Sequence, residues 1–274
     1  MRNFASAVIN DSAMPFLQKI VLIGAGRVAS HLGKRLKAKG LDLVQVLNRT
    51  AGPARALANE LKIDWSDRWS EVRPDADWLL VAVRDDAIGD VAAALASHVP
   101  QALVTHTSGA TPGTILAPYF QRFGVFYPLQ SFSAERIPTW STIPFCVDAN
   151  APSDLIFLKK TARKVGGRAW PVDDEQRAAL HVAAVFANNF ANHCFTVAEA
   201  LLGEQGLPFH LLHPLLAETL AKALAHSPAH VQTGPAQRGD QATMQRQLTQ
   251  LTAHPDWQAI YAAISASIQS GPPR

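Results

Sequence analysis

Cysteine is scarce in this chain: Cys146 and Cys194 are the two among 274 residues. Two thiols cannot build a disulfide framework, and no paired-cysteine spacing suits zinc, so a reducing compartment, the cytoplasm, is the simplest expectation. Clustered charge of one sign is missing as well. The 25 basic and 22 acidic residues leave a formal charge of +3, and no run of Lys or Arg is dense enough to track a polyanion or a lipid surface. Neither nucleic acid nor a membrane is therefore an expected partner. A long uncharged apolar run is also absent. The most apolar helical stretch, residues 178–202, carries His181, Asn188, Asn189, Asn192, His193 and Glu199, a load that a bilayer span would not tolerate. Residues 1–13 are too short and too polar for the apolar core of a signal peptide. Residues 1–17 are expected to form a disordered extension, with Met14 as an alternative start.

What the chain does have is 48% hydrophobic against 17% charged residues. That is enough apolar surface to offset ordering entropy over one large or two modest domains. From residue 19 to residue 106, short runs of branched residues alternate with helical periodicity. Strands are expected at 19–23, 41–47, 63–65, 77–83 and 102–106, with helices following Gly26, at 54–61 and at 87–98. Short buried strands alternating with amphipathic helices predict a parallel sheet covered on both faces. Strands at 141–148 and 168–172 flank a helix at 153–165. Beyond residue 173 the pattern is helical throughout, over 175–202, 208–226, 241–251 and 256–268, with a frayed tail at 270–273. The fold class is α/β: a Rossmann-type parallel sheet domain over 18–149, then a mainly helical domain over 150–274. No repeat or low-complexity tract interrupts it.

Gly24-Ala25-Gly26-Arg27-Val28-Ala29 fits the G-x-G-x-x-G/A fingerprint, with alanine at the last place. Gly24 permits the tight turn, Gly26 lets the backbone approach a pyrophosphate, and Ala29 allows close packing of helix on strand. The phosphates would rest on the N-terminus of the following helix, where free N–H groups and the helix dipole favour anions. A strand precedes the loop and a helix follows it, which is the context the motif requires. The end of the second strand selects the cofactor. An NAD site places a carboxylate there for the ribose 2′-hydroxyl, whereas this chain has Asn48-Arg49-Thr50. Arg49 suits a 2′-phosphate and Thr50 adds a hydroxyl, so NADP(H) is favoured over NAD(H). Arg49 as a solvated loop charge is the other reading. A methyltransferase built on the same loop would want an acidic residue at this strand end.

Further segments carry a resemblance: Val81-Ala-Val-Arg-Asp-Asp-Ala-Ile88, His106-Thr-Ser-Gly109, Tyr127-Pro-Leu-Gln-Ser-Phe132 and Thr233-Gly-Pro-Ala-Gln-Arg-Gly-Asp240. Together they resemble proteins that couple a Rossmann-like domain to the domain of unknown function 2520, over about residues 19–269. More distantly the layout is similar to pyrroline-5-carboxylate reductase, ketopantoate reductase and the 6-phosphogluconate and 3-hydroxyisobutyrate dehydrogenases. The resemblance implies a C-terminal domain like that of 6-phosphogluconate dehydrogenase, a homodimer, and a nicotinamide-dependent oxidoreductase. One departure stands out. The hydroxyacid dehydrogenases place a catalytic lysine four residues before an asparagine, and here those positions are Val185 and Asn189. Valine cannot donate a proton, which leaves imine or other carbonyl reduction open.

In an open α/β sheet the ligand lies beyond the carboxyl ends of the strands. Val83 and Arg84 would then flank the cofactor, His106 is a candidate acid, and Ser108, Gly109 and Gln130 are candidates for the substrate. A histidine at a strand end hydrogen-bonded to backbone is the alternative for His106. On the long helix, His181, Val185, Asn188, Asn192 and Glu199 recur at three- and four-residue steps, with Asn189 and His193 beside them. His181 and Asn189 join His106 as catalytic candidates, while structural hydrogen bonds at a dimer seam would equally explain the stripe. Arg238 could bind an anionic substrate or a partner subunit's cofactor. Alternatively, the segment is a Gly234-Pro235 turn with Asp240 capping the next helix. The six histidines from His181 to His230 show no H-E-x-x-H or comparable spacing, so no metal is expected. The composite expectation is an NADP(H)-dependent oxidoreductase acting on a small carbonyl or imine compound. A dinucleotide-binding sensor without catalysis is the alternative.

Overall fold

The structure, a computed structural model, describes residues 19–271. The expected disordered extension at 1–17 and part of the expected frayed tail lie outside the described residues.

An eight-stranded sheet organises the first compact unit. Its strands are β1 (Ile20–Ile23), β2 (Leu43–Leu47), β3 (Asp64–Ser66), β4 (Trp78–Val81), β5 (Leu103–His106), β6 (Arg122–Pro128), β7 (Pro144–Ala149) and β8 (Arg168–Pro171). The order is β3-β2-β1-β4-β5-β6-β7-β8. The first six strands are parallel, β7 runs antiparallel to β6, and β8 is parallel to β7. The order 3-2-1-4-5-6 is the doubly wound Rossmann arrangement, whose direction reverses between β1 and β4. Helices α1 (Arg27–Ala38), α2 (Ala51–Leu61), α3 (Ile88–Leu95) and α4 (Pro152–Lys164) cover it.

Alternation along the strands builds two apolar layers, because successive side chains leave a strand on opposite faces. Ile20, Leu22, Trp78 and Leu80 pack on one face with Leu32, Leu36, Leu61, Phe126 and Leu158. Val21, Ile23, Leu79 and Val81 pack on the other with Ile88, Val91, Leu95 and Val104. Trp78 is wholly buried, and its indole N–H donates to Thr105 Oγ1 at 2.9 Å, so the one polar atom of that side chain has a partner.

Residues 122–128 were not expected as a strand, since Arg122, Gly124 and Pro128 break the apolar pattern. Gly124 is there for a tertiary reason. A Cβ at that position would lie 2.1 Å from the Asp148 carbonyl oxygen of β7, so the backbones approach more closely than a side chain permits. The expected domain boundary at 149/150 also differs from the observed division. The sheet continues through β7 and β8, and the first unit closes at Ala184, after α5 (Asp174–Ala184) begins its helix. Residues 150–184 are thus part of the sheet unit. The reason is that α4 and the Val165 that ends it bury Leu158, Ala162 and Val165 against the sheet's own core, with Ala169 of β8 packed beside them.

The second unit begins at Val185. It comprises a π-helical turn (Val185–Phe190), α6 (Ala191–Glu204), α7 (His213–Ala225), the short α8 (Pro235–Arg238), α9 (Gln241–Gln250) and α10 (Pro255–Gln269). Gly234 has φ +107°, and Asp240 Oδ1 accepts from the Thr243 amide at 3.0 Å to cap α9. Among its described residues only Ala236, Met244 and Leu251 are buried apolar side chains. Phe186, Phe190, Phe195, Leu207, Leu211, Leu215, Leu220, Leu224 and Ile264 are exposed.

Candidate functional site

The glycine loop joins β1 to α1. Gly24 adopts φ +112°, and a Cβ there would lie 2.3 Å from the Ala82 carbonyl oxygen at the end of β4. Both the left-handed backbone and the strand-to-strand contact require glycine. Gly26 differs. Its φ is −77°, open to any residue, and a Cβ would meet no protein atom within 4 Å. The fold itself therefore sets no demand for glycine at position 26. Gly26 is the N-cap of α1, supplies no side-chain cap, and no acidic residue occupies the first turn. Free amides beside open, unscreened space suit an anion. Ala25 and Val28 pack partly against the core, Ala29 is fully buried under α1, and Arg27 is exposed. These residues fit a dinucleotide's pyrophosphate.

At the end of β2, Asn48 Nδ2 donates to the Thr50 carbonyl at 3.0 Å and to its hydroxyl at 2.8 Å. That tight turn leaves Arg49 exposed, without an ion pair or hydrogen bond among the described residues. Val83, after β4, packs partly against the second apolar layer. Arg84 is exposed and forks onto Asp86, with Nε to Oδ1 at 3.2 Å and Nη2 to Oδ2 at 2.5 Å.

The carboxyl end of β5 carries the most structured part of the site. His106 is fully buried. Its Nδ1 accepts from the Ser108 amide at 3.2 Å, and its Nε2 lies 3.4 Å from the Pro112 carbonyl oxygen. Burial, then the nearby Arg177 charge, holds its pKa down at about 4. A neutral ring committed at both nitrogens to backbone matches the alternative role set out for this histidine, that of a support for the loop. The Ser108 hydroxyl accepts from the amides of Ala110 and Thr111, at 3.1 and 2.9 Å, and is 3.0 Å from Thr111 Oγ1. Ser108 thus closes a local turn that presents Gly109.

Helix α5 holds the same loop from the other side. Its start is a reciprocal capping box: Asp173 Oδ1 accepts from the Gln176 amide at 2.8 Å, and Gln176 Oε1 accepts from the Asp173 amide at 3.1 Å. Asp174 Oδ1 accepts from the Gly113 amide at 2.8 Å, and Arg177 Nη2 donates to the Thr111 carbonyl at 2.6 Å and to Asp174 at 2.7 Å. Burial works to raise the Asp174 pKa, but the Gly113 amide and Arg177 outweigh it and leave it lowered. Arg177 is 1% exposed, and its Nε and Nη1 have no partner.

One turn further along α5, His181 stands over Gly109. A Cβ on Gly109 would lie 2.4 Å from His181 Nδ1 and 2.8 Å from Tyr127 Cζ. Tyr127, near the end of β6, places its hydroxyl 3.3 Å from His181 Nδ1. Burial pushes the phenol up to about 12, with Cys146 and Asp85 adding to the shift. The structure thus brings His106, Ser108, Gly109 and His181 together at the carboxyl edge. Tyr127, read in the sequence only within a longer segment, completes the cluster with Asp174 and Arg177, which were not singled out from sequence. A D-x-x-R pair at the start of a helix was the available signal for the last two.

The remaining candidates sit elsewhere. Gln130 is exposed, and its Oε1 accepts from the neighbouring Ser131 amide at 2.9 Å. Asn189 is exposed within the π-helical turn Val185–Phe190. That widened turn interrupts the 3.6-residue period on which one continuous face from His181 to Glu199 was argued. Arg238 is the exposed last residue of α8. A cavity of about 410 Å³ in the second unit is lined by Cys194, Val197, Leu251, Trp257, Tyr261 and Ile264 among others. It contains no histidine or carboxylate to move a proton. Among the described residues no three His, Cys, Asp or Glu side chains group to hold a metal ion, and no helix is long and apolar enough to cross a membrane.

Comparison with known proteins places both halves. Residues 19–109 match the family described as NADP oxidoreductase coenzyme F420-dependent, and residues 143–268 match the domain of unknown function DUF2520. A crystal structure from Bacteroides fragilis, of a protein assigned provisionally as an NADP oxidoreductase, is 37% identical and has a TM-score of 0.87. It covers 93% of this chain and 99% of its own. An imine reductase from Myxococcus stipitatus, in complex with NAD+, shares the fold at 16% identity, TM-score 0.62, over 93% of this chain and 94% of that one. A pyrroline-5-carboxylate reductase from Coxiella burnetii does so at 14% identity, TM-score 0.58, over 93% and 97%. The curated relatives matched in sequence are glutamyl-tRNA reductases of Synechococcus, 44% identical over 43 residues, and the chain spans 10% of their length. With a relative that similar over nearly its whole length, the chain belongs to the family of NAD(P)-dependent oxidoreductases that join a Rossmann-like domain to the domain of unknown function 2520.

Proposed function

We propose that this protein, in the cytoplasm, transfers a hydride between NADP(H) and a small carbonyl or imine compound. The observation that carries the reading is Gly26, a glycine the fold does not need, at the uncapped start of α1. Gly24 to Ala29 would hold the pyrophosphate, Asn48, Arg49 and Thr50 the 2′-phosphate end, and Val83 and Arg84 the ribose beyond. The bound dinucleotide supplies the hydride. On the substrate side Gly109 and Ser108 present the loop, His181 handles the proton, and His106 supports that loop from beneath. Gln130, exposed after β6, offers a contact to a polar substrate. Val185, standing where related dehydrogenases carry a lysine, is the feature that favours a non-catalytic sensor as the second reading.

Thermal shift with NADPH and NADH tests the cofactor choice. NADPH is expected to stabilise more at equal concentration, since binding to the folded state alone raises the transition. Arg49→Ala is expected to weaken NADPH about 10- to 100-fold, the loss of a hydrogen-bonded charge partner, and to leave NADH within about twofold. Equal loss for both cofactors would remove Arg49 from the 2′-phosphate. Oxidation of NADPH across a panel of ketones, keto acids and cyclic imines separates enzyme from sensor.

The second unit supports a homodimer. Nine large apolar side chains there are exposed while three residues form its interior, an exposure that monomers rarely sustain. Leu220→Glu with Leu224→Glu is expected to convert a dimer to a monomer in light scattering. A wild-type chain that is already monomeric at micromolar concentration would refute this.

A further inference from the structure

We propose that Tyr127 is the catalytic proton donor of the reaction, with His181 as the group that returns its proton. The inference rests on the reductase reading above and names a residue which that reading does not use. Tyr127 lies at the carboxyl end of β6, on the half of the sheet beyond the switch point, two residues past the Val125 that pairs with His106. Its hydroxyl is 3.3 Å from His181 Nδ1. The absence of a side chain at Gly109 is what lets both rings occupy that space, for a Cβ there would collide with each. A glycine kept clear by a tyrosine and a histidine, on a loop pinned by His106, Asp174 and Arg177, is a built arrangement.

The chemistry separates two substrate classes. As hydride reaches the carbon of a ketone, its oxygen needs a proton. The Tyr127 O–H bond breaks as the substrate O–H bond forms, and the phenolate then takes a proton from His181 Nδ1, which recovers one from solvent. NADPH is oxidised and the ketone is reduced to the alcohol. An N-alkylated iminium ion, already cationic, accepts hydride with no proton at all. The groups whose charges reach the phenol are Asp85 after β4, Cys146 beside it on β7 and Arg177 on α5, with His181 in contact. The phenol is protonated at neutral pH, as a donor must be, at tyrosine's ordinary pKa of about 10 already. The burial that raises it further holds the neutral form while weakening it as an acid.

The chain has three tyrosines, so ring-carbon NMR of tyrosine labelled at Cζ is tractable, with Tyr127→Phe assigning the signal. In the full chain the Tyr127 resonance is expected to move when NADP+ is added. It should also shift in His181→Gln, which removes the ring nitrogen 3.3 Å from the hydroxyl. In kinetics, Tyr127→Phe is expected to slow reduction of ketones such as ethyl pyruvate and cyclohexanone about 100-fold. Reduction of N-methyl-pyrrolinium, which needs no proton, should slow far less than reduction of the ketones. A Tyr127 signal indifferent to bound NADP+ overturns the proposal whether or not any ketone is turned over. Ketone reduction by Tyr127→Phe within about threefold of wild type, well short of a donor's contribution, also overturns it. Failure of every dinucleotide to bind is a different result, which defeats the reductase reading and this proposal with it.

Discussion

Gly24→Ala is expected to destabilise the protein by about 2–5 kcal/mol, adding a left-handed backbone penalty of ~1–2 to an overpacking cost of ~1–3 for a Cβ driven into backbone. At φ +112° the new methyl would lie 2.3 Å from the Ala82 carbonyl oxygen, which belongs to the backbone at the end of β4 and cannot rotate away. Gly26→Ala, two residues on, is expected to cost stability less than about 1 kcal/mol, since its φ is ordinary and nothing lies within 4 Å. Its effect should appear in binding. A methyl projecting into the phosphate loop is expected to weaken NADPH about 10- to 100-fold, a steric cost of ~1–3 kcal/mol. Urea unfolding and NADPH titration of both variants check the pair. If Gly26→Ala binds NADPH as well as wild type, open space at that loop has no cofactor meaning.

The second large effect is acid lability set by His106. Its folded pKa of about 4 lies below the ordinary 6.5 because burial disfavours the imidazolium and Arg177 repels it. An unfolded chain therefore binds a proton in the window from 6.5 to 4 that the folded chain refuses. The contribution is fully present above pH 6.5, falls as pH drops through the window, and is wholly lost below about 4. The depth is about 3 kcal/mol, from ~1.4 kcal/mol for each pH unit of displacement. Asp148, whose pKa is raised by burial, works in the opposite sense at the acid end of the window. Unfolding midpoints in urea at pH 7.5, 5.5 and 4.5 should drop steeply for wild type. His106→Asn should be weaker at pH 7.5 but nearly flat across that range. An equally steep fall in His106→Asn would assign the lability to titrating groups other than His106.

Local pattern was enough for the strands at β1, β4 and β5, because branched runs bounded by turn residues have one stable use in a buried parallel sheet. It was enough for the glycine loop too, where strand, Gly24, Gly26 and helix follow each other within ten residues. Pattern failed at β6. Gly124 reads locally as a strand breaker, and only the Asp148 backbone packed against it explains the residue. The compact units divide at 184/185 rather than at 149/150. Local pattern cannot show that difference, because helix α4 looks alike whether it covers a sheet or joins a bundle.

The candidate site divides along the same line. The residue types and strand ends that made His106, Ser108, Gly109 and His181 candidates are one-dimensional properties, fixed by spacing. Which of them can move a proton depends on what else reaches each nitrogen, near in the chain for one and far for the other. Pro112 and Ser108 hold His106 from its own loop, whereas Tyr127 meets His181 across 54 residues. Arg177 buries its charge against Thr111 across 66 residues. Sequence alone determined the class of fold and the dinucleotide loop, for both rest on contacts between near neighbours. The tertiary structure alone decided which histidine is committed to backbone and which faces a phenol, because burial and long-range hydrogen bonding set protonation.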